Sequence, residues 1–321
     1  MENLYPWLKD IWHYWKLSLE TAQFPNVVLL NSVHGLGSEQ LIKHLTQVLM
    51  CSNYLGDYCG FCHSCKLVES GNHPDFHLIS PEINGGGISI NQIRFCNKIA
   101  CETSQFSGFR LIVVMPAEAM NESASNALLK TLETSPSNCI FLLVSFKPNL
   151  LLPTIKSRCQ CWNVSIPEHM VLLNWLKSKT KEDIPGYTLH LNNYAPIDIL
   201  TFIQTNELET YLMIEQKLIS AMKNDLEELI NLTKCLLKDP NKYLAWLWYL
   251  FTDAQKSHFG LIDEYTIPGA IQLSRLLNYN DLYTQTAKLN LLRKEIRLHP
   301  VLNKELLITN WLINLTNEIS T

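Results

Sequence analysis

Four cysteines within fifteen residues constrain the N-terminal half of this chain more than any other feature of its sequence. They are Cys51, Cys59, Cys62 and Cys65, which form two overlapping C-x-x-C steps preceded by a fourth cysteine. This spacing lets three thiolates converge on one ion while the fourth closes a tetrahedron, as in a structural zinc site with no open position. We therefore predict a zinc knuckle at 51–65, with redox-active or unpaired buried thiols as the alternative.

The segment after the first apolar run is similar to a phosphate loop that lacks its working residues. A P-loop has the sequence G-x-x-x-x-G-K-[ST], in which the lysine reaches the phosphates and the hydroxyl holds magnesium. In this chain Ser38 takes the lysine position and Glu39 takes the hydroxyl position. A carboxylate about 4 Å from a phosphate costs about 4 kcal/mol at an effective dielectric of about 20, so we predict weak or absent nucleotide binding. The residues of this degenerate loop are Ser32, Gly35, Gly37, Ser38 and Glu39. A plain strand-to-helix turn explains its glycines equally well.

Apolar runs at 27–30, 111–115 and 140–144 predict three buried strands, and helical spacing of the apolar residues between the last two predicts a helix there. Strands that alternate with helices imply an α/β fold with a parallel sheet covered on both faces. After the second strand, a nucleotide hydrolase of this architecture has acidic residues that hold magnesium. Met115 and Pro116 stand there instead, and neither side chain offers an oxygen ligand.

The C-terminal part of the chain is predicted to be helical. Nine of the twelve glycines lie at or before Gly108, and beyond residue 206 apolar residues recur at three- and four-residue spacing. We expect a sheet domain over 1–165, a small helical domain over 166–205 and a larger helical domain over 206–321. The predicted helices of the last domain span 208–237, 243–254, 266–278, 283–298 and 302–319.

Charge and hydropathy exclude several classes of protein. The chain has 321 residues with 26 basic and 30 acidic side chains, so it lacks the basic excess of a DNA-coating protein. Its first residues have neither the basic start nor the apolar centre of a signal peptide. No uncharged apolar run reaches the roughly 18–20 residues that cross a bilayer. We expect a soluble, cytoplasmic protein without a membrane partner.

Three motifs, taken together with the cysteine cluster, resemble the subunits of bacterial clamp loaders, which belong to the AAA+ class of ATPases. The motifs are the run Asn126 to Glu133 (NALLKTLE), the stretch Leu151 to Ile155 (LLPTI) and the triplet Ser157-Arg158-Cys159. The resemblance covers residues 20–205, whereas the helices beyond 206 agree only in length and class. It implies an AAA+ sheet domain with an inserted zinc knuckle, then a small helical lid, and finally an all-α collar that joins subunits into a ring.

The resemblance also implies a role for the triplet. In clamp-loader subunits the matching arginine reaches into the ATP site of a neighbouring subunit as an arginine finger, so Arg158 is expected to act in trans. Ser157 and Cys159 are then packing partners that aim it. Because the chain lacks both the P-loop lysine and the acidic pair, it resembles the members that do not hydrolyse ATP.

The same resemblance implies the cofactor and the partners of the chain. Structural zinc is the cofactor expected, and no ATP binding is expected. The implied partners are the gamma/tau ATPase subunits and the delta subunit of the DNA polymerase III clamp loader, which functions in DNA replication. The sliding clamp would be contacted indirectly and primed DNA through the assembled complex. Any polymerase activity would belong to the holoenzyme.

Two alternatives remain at the level of the sequence. One is an active AAA+ ATPase in which Lys43 replaces the missing lysine, although Lys43 lies more than one helical turn beyond Ser38. The other is a zinc knuckle that binds nucleic acid directly. Lys66 is the one Lys or Arg between positions 51 and 70, which gives a poor footprint for phosphates.

Overall fold

The computed structural model describes residues 4–54, 56–83, 85–106, 108–134, 136–180, 184–222, 226–299 and 302–317. Two compact units make up the chain, Met1–Trp175 and Leu176–Thr321. The division into domains at 1–165, 166–205 and 206–321 stays a prediction, and its outer ends at 1–3 and 318–321 lie outside the described residues. Among the described residues no helix combines the length and the apolar character needed to cross a bilayer.

A parallel five-stranded sheet forms the centre of the first unit, with strand order β2-β3-β4-β1-β5. Every residue of the two central strands β3 and β4 is buried, as a parallel sheet covered on both faces requires. The three predicted strands are confirmed as β1, β3 and β4. The strands are β1 (Val27–Asn31), β2 (Phe76–Ile79), β3 (Arg110–Val114), β4 (Cys139–Ser145) and β5 (Gln160–Asn163).

Helices connect these strands and begin at recognisable caps. The side chain of Ser89 accepts a hydrogen bond from the backbone of Gln92 in a capping box that starts α4, and Asn121 accepts from Ala124 at the start of α5. In the described part of the chain, six α-helices lie within the first unit, and a seventh begins in it and extends beyond its last residue, Trp175. They are α1 (Lys9–Glu20), α2 (Ser38–Met50), α3 (His63–Glu69), α4 (Ile90–Ala100), α5 (Glu122–Glu133), α6 (Pro153–Lys156) and α7 (His169–Lys179).

One apolar cluster joins α4 and α5 to a face of the sheet. It includes Ile93 of α4, Leu128 of α5 and Phe141 of β4, all of which are fully buried. The carboxyl ends of β1, β3 and β4 lie along one edge of this parallel sheet, because all of these strands run in the same direction. The degenerate phosphate loop and the Met115-Pro116 pair follow β1 and β3, and both therefore lie at that edge.

A buried ion pair joins the residue before the edge strand β2, Asp75, to the first residue of β3, Arg110. Asp75 and Arg110 are 2% and 5% exposed, and Arg110 Nη2 lies 3.1 Å from Asp75 Oδ1. Arg110 also donates to the carbonyls of Glu102 and Thr103, each at 2.8 Å. The backbone N–H of Gln105 donates to both oxygens of Asp75, at 2.9 and 3.0 Å. The pair is therefore almost completely hydrogen-bonded, as a buried pair must be to persist.

The second unit is helical and has a separate apolar core, which contains Tyr211, Trp246 and Phe251. The helix predicted over 208–237 is two helices, because α10 ends at Ala221 and the next begins at Leu226. The helices of this unit are α8 (Gly186–Leu191), α9 (Pro196–Gln204), α10 (Glu207–Ala221), α11 (Leu226–Leu236), α12 (Pro240–His258), α13 (Pro268–Leu276), α14 (Tyr279–Leu298) and α15 (Lys304–Asn317).

Two buried carboxyl groups shape this second core. The Tyr211 hydroxyl donates to Glu215 at 2.5 Å, and a Cβ on Gly269 would lie only 2.3 Å from Cδ of Glu215. Asp253 accepts hydrogen bonds from Lys256 Nζ at 2.9 Å and from the backbone of Ile267 at 3.2 Å. Both carboxyl groups therefore accept hydrogen bonds from polar groups of the same unit.

Candidate functional site

The four cysteines of the predicted knuckle converge. Cys51 follows the last residue of α2, while Cys62 caps the N-terminus of α3 and Cys65 lies in its first turn. The four Sγ atoms all lie within 4.8 Å of one another, and Cys59 Sγ is 3.9 Å from Cys65 Sγ. Tetrahedral zinc at about 2.3 Å from each sulfur implies about 3.8 Å between sulfurs, so the donor set fits this metal.

Backbone N–H groups point at three of the sulfurs. Cys59 N lies 3.3 Å from Cys51 Sγ, Cys62 N lies 3.4 Å from Cys59 Sγ, and Cys65 N lies 3.4 Å from Cys62 Sγ. Burial opposes ionisation of Cys62, but the N–H groups of Cys65 and Ser52 lower the pKa of this thiol to about 6. These N–H groups favour a thiolate at Cys62, whereas burial raises the pKa of Cys51 and raises that of Cys65 to about 12. Thiolate is the form that binds a metal, so we expect the metal to bind with release of protons from the more buried thiols.

The degenerate phosphate loop forms the turn between β1 and α2, and its residues 32–39 include no lysine or arginine. Gly35 and Gly37 have φ of +76° and +74°, in the left-handed region that glycine tolerates best. Ser38 is buried and its Oγ has no hydrogen-bond partner among the described residues, whereas Glu39 is exposed. Lys43 lines a cavity that contains none of the loop residues 32–39. This position does not favour Lys43 as a replacement for the missing lysine.

Aromatic side chains from the N-terminal segment lie on this loop, a contact that the sequence does not predict. Trp7 Nε1 donates to the carbonyl of Leu36 at 2.8 Å, and the backbone of Tyr5 donates to Gln40 Oε1 at 2.9 Å. The Trp7 ring stacks on Tyr5 with centroids 5.0 Å apart and meets Trp175 edge-on at 5.2 Å. The chain's own groups therefore satisfy part of the loop backbone.

The position after β3 offers no magnesium ligand. Met115 and Pro116 stand where the acidic residues were expected, as the sequence already indicated. The nearest acidic residue along the chain, Glu118, accepts a hydrogen bond from the backbone of Phe146, with both carboxylate oxygens at 3.2 Å from the nitrogen. That carboxylate ties the end of β3 to the end of β4.

Arg158 lies between α6 and the edge strand β5, and its side chain is 35% exposed. Its Nε donates to Glu133 Oε1 at 2.7 Å, Nη2 contacts the same oxygen, and Nη1 donates to the carbonyl of Thr154 at 2.9 Å. The contact with Glu133 was not foreseen, although Glu133 ends the NALLKTLE run that carried the resemblance. The guanidinium is thus held near the surface at one edge of the sheet.

The two neighbours of Arg158 contact the same short helix. Ser157 Oγ donates to the carbonyl of Thr154 at 3.0 Å, and Cys159 Sγ donates to the carbonyl of Ile155 at 3.1 Å. Burial raises the pKa of Cys159 to about 12, so this thiol stays neutral. Both side chains are placed to fix the backbone on either side of the arginine.

Comparisons with known proteins show what this chain is similar to. A family model described as "DNA polymerase III, delta subunit" matches residues 7–167, and one described as "DNA polymerase III, delta subunit, C terminal" matches residues 206–317. The chain is 42% identical to DNA polymerase III subunit delta' of Haemophilus influenzae over 180 residues, which are 56% of this chain and 55% of that protein. It is 30% identical to the Yersinia pestis subunit delta' over 99% of this chain and 97% of that protein. A gamma subunit-related protein from Thermotoga maritima aligns with 19% identity and a TM-score of 0.45, covering 95% of this chain and 99% of that one.

Proposed function

Because this chain belongs to the family of DNA polymerase III delta' subunits, we propose that it is the non-hydrolysing member of a clamp loader. In this role it assembles with the gamma/tau ATPase subunits and the delta subunit, and it contributes Arg158 to the ATP site of a neighbouring subunit. It helps to place the sliding clamp on primed DNA during replication, contacting the clamp indirectly and the DNA through the assembled complex. It acts in the bacterial cytoplasm.

The observation that carries this proposal is the contrast between the two halves of an ATP site. Arg158 lies next to the edge strand β5 and its side chain is 35% exposed, which supports a contact with a neighbouring subunit. The chain's own loop has buried Ser38 in place of the phosphate-binding lysine, and Met115 in place of an acidic residue. A subunit that donates an arginine in trans needs the arginine but needs no ATP site of its own, and this chain has that combination.

The proposed chemistry is electrostatic. As the γ-phosphoryl group is transferred, charge is spread over its oxygens, and a guanidinium aimed at them stabilises that charge. Arginine fingers accelerate such reactions by roughly 10³- to 10⁵-fold where they are known. In this account Arg158 makes no covalent bond and transfers no proton. Ser157 and Cys159 hold its backbone through their hydrogen bonds to Thr154 and Ile155.

We also propose that the four cysteines hold one structural zinc ion. With four thiolates and no open position, the metal would supply cross-linking of the segment between α2 and α3 and no catalysis. The short spacing of the sulfurs and the three backbone N–H groups aimed at them support this assignment. Near one equivalent of zinc in the purified chain is the expected result of elemental analysis, and a metal-free chain with four reduced thiols would contradict it.

The test of the arginine role uses the reconstituted loader. Replacing Arg158 with alanine is expected to lower the ATPase stimulated by clamp and primed DNA while subunit assembly is retained. Arg158→Lys is also expected to lose activity, because an ammonium cannot reproduce the planar fork of the guanidinium. Lys156→Ala is the matched control, since it removes a cation two residues away on α6. Unchanged ATPase of the Arg158→Ala loader would refute the proposal.

A further inference from the structure

Two helices of the chain hold the guanidinium of Arg158. Glu133 binds its Nε at 2.7 Å and contacts Nη2, and the carbonyl of Thr154 accepts from Nη1 at 2.9 Å. Glu133 lies 25 residues before Arg158 and belongs to α5, whereas Thr154 belongs to α6. The direction of the arginine is therefore set by a contact between separate elements and not by its local backbone alone.

The place of Glu133 in its helix is unfavourable unless it has a cationic partner. It is the last residue of α5, next to the helix end that carries the negative pole of the macrodipole. A carboxylate is disfavoured there, whereas Lys130 in the same turn is of the favoured sign. Residues that break a local rule without a local benefit often serve a site. The guanidinium of Arg158 compensates the negative charge of Glu133 and so offsets the unfavourable interaction of this carboxylate with the helix dipole.

The geometry of the pair leaves part of the guanidinium available. An arginine has five N–H groups in a rigid fork. Glu133 takes the side formed by Nε and Nη2, and Thr154 takes one N–H of Nη1. One N–H on each terminal nitrogen has no acceptor among the described residues. Each of these N–H groups can donate a charge-assisted hydrogen bond to a phosphate oxygen.

We propose that Glu133 is the positioning residue of Arg158: it binds one side of the guanidinium so that the other side faces the phosphates of the neighbouring subunit. The inference rests on the proposed function, because it assigns a role in the same site. Without Glu133 the arginine distributes over many rotamers, of which few point at the phosphates. We expect replacement of Glu133 to lower turnover by about 3- to 30-fold. The lower value corresponds to the free energy of an exposed ion pair, and the upper value to the full rotamer entropy of an arginine side chain.

The experiment measures kcat and KM for ATP in the reconstituted loader with clamp and primed DNA. Glu133→Ala is expected to lower kcat with little change in KM, and Glu133→Asp, which retains the charge, is expected to recover most of the loss. Glu122→Ala is the control, because it removes the same side chain from the opposite end of α5. In the Arg158→Ala background, Glu133→Ala should have no further effect, since its action passes through the arginine.

The outcomes separate this inference from the proposed function. Wild-type kcat in Glu133→Ala, together with a low kcat in Arg158→Ala, would overturn the positioning role alone. A higher kcat in Glu133→Ala would also overturn it, since the carboxylate would then restrain the arginine. A further loss in the double variant would show that Glu133 acts through stability or assembly. Wild-type kcat in Arg158→Ala would refute the proposed function and this inference together.

Discussion

Removing Asp75 should strongly destabilise the first unit, because the cation of Arg110 would be left buried without its counter-ion. Both side chains are at most 5% exposed, and Asp75 lies 3.1 Å from Arg110 and accepts from the backbone of Gln105 and Phe106. Breaking a buried ion pair from one side costs about 3–5 kcal/mol. For a unit of this size, each kcal/mol lowers the melting temperature by about 2–4 °C, so Asp75→Ala should lower it by about 6–20 °C.

Hydrogen exchange measured in increasing urea is the appropriate assay, since the two units need not unfold together. Peptides that contain β2 and β3 should lose protection in Asp75→Ala, whereas peptides from α12 serve as an internal reference. The double variant Asp75→Leu with Arg110→Met removes both charges and should recover much of the loss. A loss of stability below about 1 kcal/mol in the alanine variant would contradict this expectation. A double variant whose loss equals the sum of the losses of the two single variants would also contradict it.

Three further predictions concern the second core and the metal. Gly269→Ala places a Cβ 2.3 Å from the buried carboxyl of Glu215, so thermal melts should show a loss of about 1–3 kcal/mol, and an unchanged melt would contradict the close packing. Burial opposes ionisation of Asp253, but hydrogen bonds from His190, from a lysine and from a backbone N–H hold its pKa below the ordinary value. The depressed pKa stabilises the folded chain above about pH 4, so the free energy of unfolding should fall as acid protonates Asp253. Asp253→Asn should lose this part of the pH dependence. Equal acid profiles for the wild-type chain and the variant would contradict this prediction. Cys62→Ser should reduce bound zinc measured with a colorimetric chelator and expose the cysteine segment to protease, and full zinc retention would remove this cysteine from the ligand set.

The central strands could be predicted from the sequence because they are buried on both faces. The runs that became β1, β3 and β4 are continuously apolar, which is the pattern of a covered parallel strand. The edge strands β2 and β5 were missed for the opposite reason. Leu78 in β2 is 50% exposed, and β5 has no fully buried residue, so neither shows an apolar run. Their place depends on pairing with neighbours distant in sequence.

Candidate site residues divide in the same way. The cysteine cluster could be predicted because a fixed short spacing already brings sulfurs together, and all four meet in the fold. The partner of Arg158 could not, since Glu133 is brought to it by the packing of two helices. The hydrogen bond from Trp7 to Leu36 also joins distant segments, 29 residues apart. Local spacing records the first kind of contact and carries no information about the second.

In the proposed function this chain supplies an arginine to an ATP site and has no working ATP site of its own. The most direct test is a calorimetric titration of the isolated full-length chain with ATP and magnesium. We expect no heat of binding at millimolar ATP, because the loop around Gly37 holds Ser38 and Glu39 where a cation and a magnesium ligand are needed. Micromolar binding would contradict it, and the chain would then be a nucleotide sensor or a motor in its own right.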